Sequence, residues 1–236
     1  MTTPTDLCPH ARPDHPACIQ CCLSEVLDRA DDVPASLRHD IGRVRERQVE
    51  RGELLYREGA PTHGLIIINH GLVKLTQTLA NGQQRIVRLM HGGDMIGLES
   101  LVNHQAHHTA TAIVATRVCE VPVALIAQLE SVDPQVCERL MRQWQRSLDE
   151  ADSFITQLST GTAESRLARL LLKQSEGRAE TVFPALTREE IGSIIGISTE
   201  TASRMMARFK REGLIQERGD LISRCDVDTL TRIGND

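Results

Sequence analysis

The stretch Leu186-Thr-Arg-Glu-Glu-Ile-Gly-Ser-Ile-Ile-Gly-Ile-Ser-Thr-Glu-Thr-Ala-Ser-Arg-Met-Met-Ala-Arg-Phe-Lys-Arg-Glu-Gly-Leu-Ile215 reads as two short helices joined by a tight turn. Thr187 with Glu190 three residues on is a capping-box start, Gly196 permits the positive φ that a tight interhelical turn needs, and Ser198 can cap the second helix. Ile191, Ile194, Ile195, Ile197, Met205, Met206 and Phe209 supply an apolar side for burial. Glu200, Ser203, Arg204 and Arg208 fall on one strip opposite them, because residues three and four apart share a helix face. These side chains suit base edges in a DNA groove. An arginine can grip O6 and N7 of guanine with two hydrogen bonds and a carboxylate can accept from N4 of cytosine, each pair giving about 1–3 kcal/mol of discrimination. An ordinary amphipathic hairpin with a solvated face shares the periodicity, but it does not require the caps and the turn glycine to coincide with it.

The rest of the chain is long enough to support more than this hairpin. With 236 residues and 40% apolar content it can form two domains, and with only 2% aromatics its core must be mostly aliphatic. No run of about 18 apolar residues suggests a membrane span, and the N-terminus lacks the apolar core of a signal peptide. The sequence therefore predicts a cytoplasmic protein, in which its seven cysteines serve as thiols or metal ligands in preference to structural disulfides. A formal charge of −5 argues against non-specific coating of nucleic acid. Residues 160–236 are balanced in charge, but Arg204, Arg208, Lys210 and Arg211 stand against Glu200 alone over 199–211, and it is the local field that attracts phosphates.

Residues 1–30 form a cysteine-bearing, proline-containing arm. From about 48 to 125, short apolar runs such as Leu65-Ile-Ile-Ile and Leu72-Val-Lys-Leu alternate with glycines, and Asn81-Gly82 is a strong hairpin signal. The pattern predicts an antiparallel barrel or jelly roll over 31–130. A long helix follows over 131–160, opened by Asp133 as cap and Pro134 at its first position. Its residues Cys137, Met141, Trp144, Leu148, Ala151, Ile155 and Leu158 make a heptad seam. The seam suits a dimer, since two hairpins read two half-sites about 10–10.5 bp apart, although packing on the chain's own barrel would use the same residues. Residues 161–236 hold the hairpin, with Leu214-Ile-Gln and Leu221-Ile-Ser around Gly219 as a small β wing. The fold class expected is α+β, an N-terminal β-roll with a long dimerisation helix and a C-terminal winged helix-turn-helix.

The segment Glu200-Thr-Ala-Ser-Arg204 in this setting resembles the recognition helix of the CRP/FNR superfamily of bacterial regulators, and Ser203 before Arg204 is similar to the FNR-type branch. The barrel matches the family's β-roll effector domain in order and size, so the resemblance spans nearly the whole chain. It implies that Glu200, Ser203 and Arg204 read an FNR-type palindrome, a TTGAT half-site and its inverted partner. It further implies a homodimer that binds promoter DNA, works with RNA polymerase, and is not an enzyme. No nucleophile–base pairing or phosphate-cradling glycine loop argues otherwise.

Two kinds of input come with such a fold. Cyclic nucleotide binding would need an Arg-Ser pair on the phosphate, and aligning on Val118-Cys-Glu-Val places Thr109 and Ala110 there, with Glu99 unable to neutralise a phosphate. The cysteines are the stronger candidate. Cys8, Cys18, Cys21 and Cys22 crowd the arm, and Cys18-x2-Cys21 is a spacing that lets one loop reach two irons of a cluster. In FNR-type oxygen sensors, arm cysteines and a distant barrel cysteine in a Cys-Glu-x-Pro context hold a [4Fe-4S] cluster. Cys119 in Arg117-Val-Cys-Glu-Val-Pro122 matches that distant ligand, so the resemblance implies Cys8, Cys18, Cys21 and Cys119 as the ligand set, with Cys22 in reserve. The arm departs from the best-known spacing, because Cys8 precedes the pair by ten residues and nothing follows Cys22 before Cys119. The rivals are zinc, for which Cys8, His10, His15, Cys18 and Cys21 could form a tetrahedral site within the arm, thiol redox at the same cysteines, or a regulator of this family with no cluster. His104, His107 and His108 read as a solvated loop, Cys137 and Cys225 as packing residues. Glu150 is the nearest match to the family's acidic residues that oppose pairing of the dimer helix.

Overall fold

The structure of the protein, a computed structural model, describes residues 34–175 and 182–236. Cys8, Cys18, Cys21, Cys22, His10 and His15 lie outside the described residues. The chain divides into two compact units, one of the residues described up to Gln77 with Leu89–Leu148, the other of Thr78–Arg88 with Asp149–Asp236.

Antiparallel ladders make up most of the first unit, with the tip at Thr78–Arg88 counted in the second. Strands β1 (Arg45–Val49), β8 (Thr116–Pro122), β3 (Gly64–His70) and β6 (Met95–Ile96) form one sheet in the order β1-β8-β3-β6. Strands β2 (Leu54–Tyr56), β7 (Thr109–Ala112), β4 (Leu72–Thr78) and β5 (Gln84–His91) form the other, in the order β2-β7-β4-β5. The uninterrupted run Leu65-Ile-Ile-Ile arises because β3 is covered on both faces, which removes the polar alternation of a half-exposed strand. Leu65 and Ile67 join Cys119 and Val121 in one cluster, while Ile68 and Val118, which face each other in the ladder, point by alternation to the opposite side. The Asn81-Gly82 signal is realised between β4 and β5: Gly82 sits at φ 80°, and the Leu79 N–H donates to the Gln83 carbonyl.

Helices cover the face that carries Cys119. Helix α1 (Ala35–Ile41), helix α2 (Val123–Val132) and the first turns of α3 (Gln135–Leu158) contribute Leu37, Ile41, Leu125, Ile126, Leu129, Val136 and Leu140 to that same cluster. Burying each such side chain is worth about 1.5–3 kcal/mol, so the helices are held by apolar area more than by polar contacts. Asp133 caps α3 as its position predicts: its carboxylate accepts from the Gln135 N–H at 3.0 Å and also holds Arg139 at 2.7 Å.

The second unit packs α4 (Ala163–Ser175) against α7 (Val227–Asn235), with α5 (Arg188–Ile195) and α6 (Thr199–Arg211) beside them. The wing has three strands, β10 (Ile215–Arg218), β11 (Leu221–Cys225) and β9 (Phe183–Pro184), in the order β10-β11-β9. Strand β9 and helix α7 add to the elements expected from the sequence. Arg169 on α4 locks this unit, donating to the Gln157, Thr160 and Gly234 carbonyls at 2.7, 2.9 and 2.6 Å. Such a guanidinium satisfies carbonyls that a helix C-terminus leaves without partners.

Candidate nucleic-acid interface and sensor cysteine

The helix-turn-helix is assembled by the local signals that predict it. Thr187 Oγ1 accepts from the Glu190 N–H at 3.1 Å, and Glu190 Oε2 accepts from the Thr187 N–H at 2.9 Å, a reciprocal box. Gly196 ends α5 at φ 69°, a left-handed conformation that a side chain would strain. Ser198 then caps α6, its hydroxyl accepting from the Thr201 N–H at 3.2 Å. Ile191, Ile194, Ile195, Met206 and Phe209 are buried, with Ala202 filling the close approach, while Ile197 and Met205 are only half-buried.

Glu200, Ser203 and Arg204 are exposed on α6, as a base-reading surface requires. Arg204 reaches back to Thr201 Oγ1 at only 3.4 Å, a long contact that leaves its guanidinium available to a ligand. Arg208 departs from this pattern. Its guanidinium is held by the Glu164 carboxylate at the start of α4, lies 3.7 Å from Glu212, and sits 5.7 Å over the Phe209 ring. The hydrogen bond to Glu164 raises its pKa further, against the opposing effect of burial. The fourth residue of the predicted strip is therefore tied to its own unit, and periodicity gave no sign of this because Glu164 is far away in sequence.

A second ion-pair group, missed from the sequence, supports the same helices. Glu217 on β10 takes Arg188 of α5 at 2.6 Å and Lys210 of α6 at 3.0 Å. Burial pushes the Glu217 carboxyl up, but the hydrogen bonds from Arg188 and Lys210 outweigh it and hold the pKa below its ordinary value. The wing thus braces both helices of the hairpin through one carboxylate.

Helix α3 has two apolar stripes. Val136, Leu140, Phe154 and Leu158 are buried, whereas Met141, Trp144, Leu148 and Ile155 are 68%, 47%, 52% and 61% exposed. Cys137 is exposed as well and Ala151 half-buried. The predicted seam is thus an uncovered stripe, except that Leu158 turns inward. Of the neighbouring stripe, Val136 and Leu140 belong to the cluster that packs on the β-roll. Glu150 pairs with Lys173 of α4 at 2.9 Å within the same chain.

Cys119 lies in the middle of β8, 7% exposed, opposite Ile67 of β3 and Glu46 of β1. Asn69 donates an amide hydrogen to its Sγ at 3.1 Å. The cluster of side chains around Cys119 includes Leu37 and Ile41 of α1, the helix through which the chain arrives from the arm. Among the described residues no three His, Cys, Asp or Glu side chains gather as a metal site, so any centre using Cys119 must draw its other ligands from elsewhere in the chain. In the His104–His108 loop, His107 meets Asn103 at 3.4 Å and its N–H meets Glu99 at 3.4 Å. Thr109 accepts from the Glu58 N–H at 3.0 Å and Ala110 is fully buried, so neither offers a phosphate grip.

Comparison with known proteins finds a family model for each end of the described chain. Residues 46–131 match the family model of the cyclic nucleotide-binding domain, and residues 165–233 that of the Crp-like helix-turn-helix domain. The chain is 29% identical to the transcriptional activator protein anr of Pseudomonas aeruginosa over 74% of its own length and 74% of that protein. It is 25% identical to the fumarate and nitrate reduction regulatory protein of Escherichia coli, over 92% of this chain and 89% of that one. Among solved structures, FixK2 from Bradyrhizobium japonicum superposes with a TM-score of 0.72 at 24% identity, covering 80% of this chain and 96% of that one, which shows the shared fold.

Proposed function

Because the chain belongs to the CRP/FNR family of non-enzymatic, DNA-binding transcription regulators, we propose that it controls anaerobic gene expression through an oxygen-labile [4Fe-4S] cluster held by Cys8, Cys18, Cys21 and Cys119. The observation that carries this reading is the pairing of an arm rich in cysteine with one buried barrel cysteine, in a chain similar to regulators named for anaerobic control. The chemistry of the residues fits. Cys119 is a soft donor shielded from water, its sulfur accepts an amide hydrogen as ligating sulfurs do, and the helix leading from the arm packs in the same cluster. An iron–sulfur cluster, when bound, supplies a link that forms without oxygen and is destroyed by it.

The chain's own residues then do the rest. The arm, residues 1–30, is fastened to the β-roll of 31–130 through Cys119. The exposed stripe of Cys137, Met141, Trp144, Leu148, Ala151 and Ile155 on the helix of 131–160 pairs with its copy in a homodimer. The winged helix-turn-helix of 161–236 presents Glu200, Ser203 and Arg204 to one half-site of an FNR-type palindrome, and Arg208 supports them. Activation through RNA polymerase follows from the same family logic, and a reader of promoter DNA works in the cytoplasm. No helix among the described residues is long and apolar enough to cross a membrane.

Anaerobic purification, with visible absorption and iron and sulfide analysis, tests the reading. A brown protein bleached by air, with about four irons per chain as a [4Fe-4S] cube implies, supports it. A colourless protein with one zinc per chain would instead move the arm's Cys8, His10, His15, Cys18 and Cys21 to a tetrahedral site.

A further inference from the structure

We infer that Asn69 is a positioning residue for the Cys119 sulfur, whose side-chain amide sets how readily the cluster proposed above is lost to oxygen. The inference rests on that proposal, because it concerns the sulfur assigned there as a ligand. It begins with an irregularity in β3. Ile68 faces Val118 and His70 faces Arg117, so Asn69 is an extra residue at a bulge in an otherwise regular ladder. Bulges re-aim side chains, and they are common beside functional sites.

The residue at this bulge is a poor strand former placed where polar groups are costly. Asn69 is only 6% exposed, and a buried amide without partners would be destabilising. Its Nδ2 lies 3.1 Å from Cys119 Sγ and 3.4 Å from Glu46 Oε1. An amide nitrogen carries two hydrogens, so one can serve the sulfur and the other the carboxylate.

Placed there, the amide has a chemical consequence. A hydrogen bond to a ligating sulfur draws electron density from it and favours the reduced centre, which raises the reduction potential. The Glu46 carboxylate, directly across the ladder from Cys119, acts in the opposite sense by its negative charge. The shorter of the two contacts goes to the sulfur, so Asn69 places positive amide hydrogens between an anionic neighbour and an electron-rich ligand. The wild-type residue should therefore slow oxidative loss of the centre. A residue present only for packing would be replaceable by an aliphatic one without that effect.

The experiment uses the full chain, isolated without air, as wild type, Asn69→Leu and Asn69→Val. Neither replacement has a donor, and the two differ in volume and strand preference, so an effect common to both reports the lost amide. Iron per chain, thermal melting, midpoint potential and the rate of bleaching in air are measured on each. The expected result is a lower potential and bleaching about 3- to 10-fold faster in both variants, with melting unchanged, the size being that of one ordinary hydrogen bond lost. Loss of iron from both variants with melting unchanged would likewise support a role in holding the sulfur. Unaltered potential and bleaching in iron-loaded variants would overturn the role of Asn69 and leave the cluster standing. Early melting of both variants would overturn it in favour of packing. A wild type without iron, or a Cys119→Ala variant with its full iron content, would bring down the inference and the cluster reading together.

Discussion

Removing Leu148 from the exposed stripe of α3 should weaken self-association of this chain without unfolding it. Leu148 is 52% exposed in the single chain, so its deletion removes little from the chain's own core. Fully burying a leucine is worth about 1.5–3 kcal/mol, so covering the exposed half gains about 0.75–1.5 kcal/mol per protomer. A twofold interface contains the residue twice, which makes the loss for Leu148→Ala about 1.5–3 kcal/mol, or a dissociation constant about 10- to 150-fold weaker. The assay is sedimentation over a concentration series, read alongside the fluorescence of Trp144, the chain's one tryptophan, which stands four residues earlier on the same stripe. Pairing should shift its emission to the blue, and Leu148→Ala should move that transition to higher concentration. Glu150→Ala is the control, because that carboxylate faces Lys173 of its own chain. Equal association of wild type and Leu148→Ala, or a larger loss in Glu150→Ala, would refute the assignment of this stripe to the dimer.

Other expectations follow from the reading unit. Arg204→Ala should cost about 1–3 kcal/mol at one base pair and relax preference there, measured by binding to a panel of single-base variants of the palindrome. Arg208→Gln should weaken binding to all those sites alike, because the residue is engaged by Glu164; a changed preference at one position would make it a base reader after all. Thr187→Ala should lower stability by about 0.5–2 kcal/mol through loss of the capping box, seen in chemical denaturation of the second unit. Glu217→Gln tests pH dependence. The folded pKa of Glu217 is depressed, so its ion pairs stabilise above the ordinary carboxylate value and fade as the pH falls through the lower folded one. The wild type should melt higher than the variant at neutral pH, and the two curves should converge in acid.

The parts that were legible in the sequence are those whose partners are close in the chain. Thr187 and Glu190, Ser198 and Thr201, Asp133 and Gln135, and the Asn81-Gly82 turn each join residues two or three apart or set one local backbone conformation, so residue type and spacing carry the information. Arg208 with Glu164, Glu217 with Arg188, and Asn69 with Cys119 join residues that only the folded chain brings together. Exposure of Glu200 and Arg204 was predictable from periodicity, whereas the capture of Arg208 was not, because its strip and its partner lie on different helices. Helix α7 carries a local signal of the same kind: Asp226 accepts from the Thr229 N–H at 3.1 Å, an N-cap spacing at the start of a short apolar-periodic segment.

Helix α3 shows how two packings can hide in one pattern. Its inward row, Val136, Leu140, Phe154 and Leu158, and its outward row, Met141, Trp144, Leu148 and Ile155, lie only about 100° apart on the helical wheel, the angle between successive residues. A heptad reading must choose one row, and it finds the outward one because Trp144 and Leu148 are the larger signal there, while the inward row is broken by Gln143, Ser147 and Glu150 between Leu140 and Phe154. That break is informative. Glu150 belongs to the inward row and is satisfied by Lys173, so the inward face is held by apolar contacts at both ends and an ion pair near its lower end. The outward row is flanked by Asp152, exposed four residues after Leu148 and three before Ile155, so an acidic side chain does border the face proposed for pairing, while Glu150 is turned to Lys173.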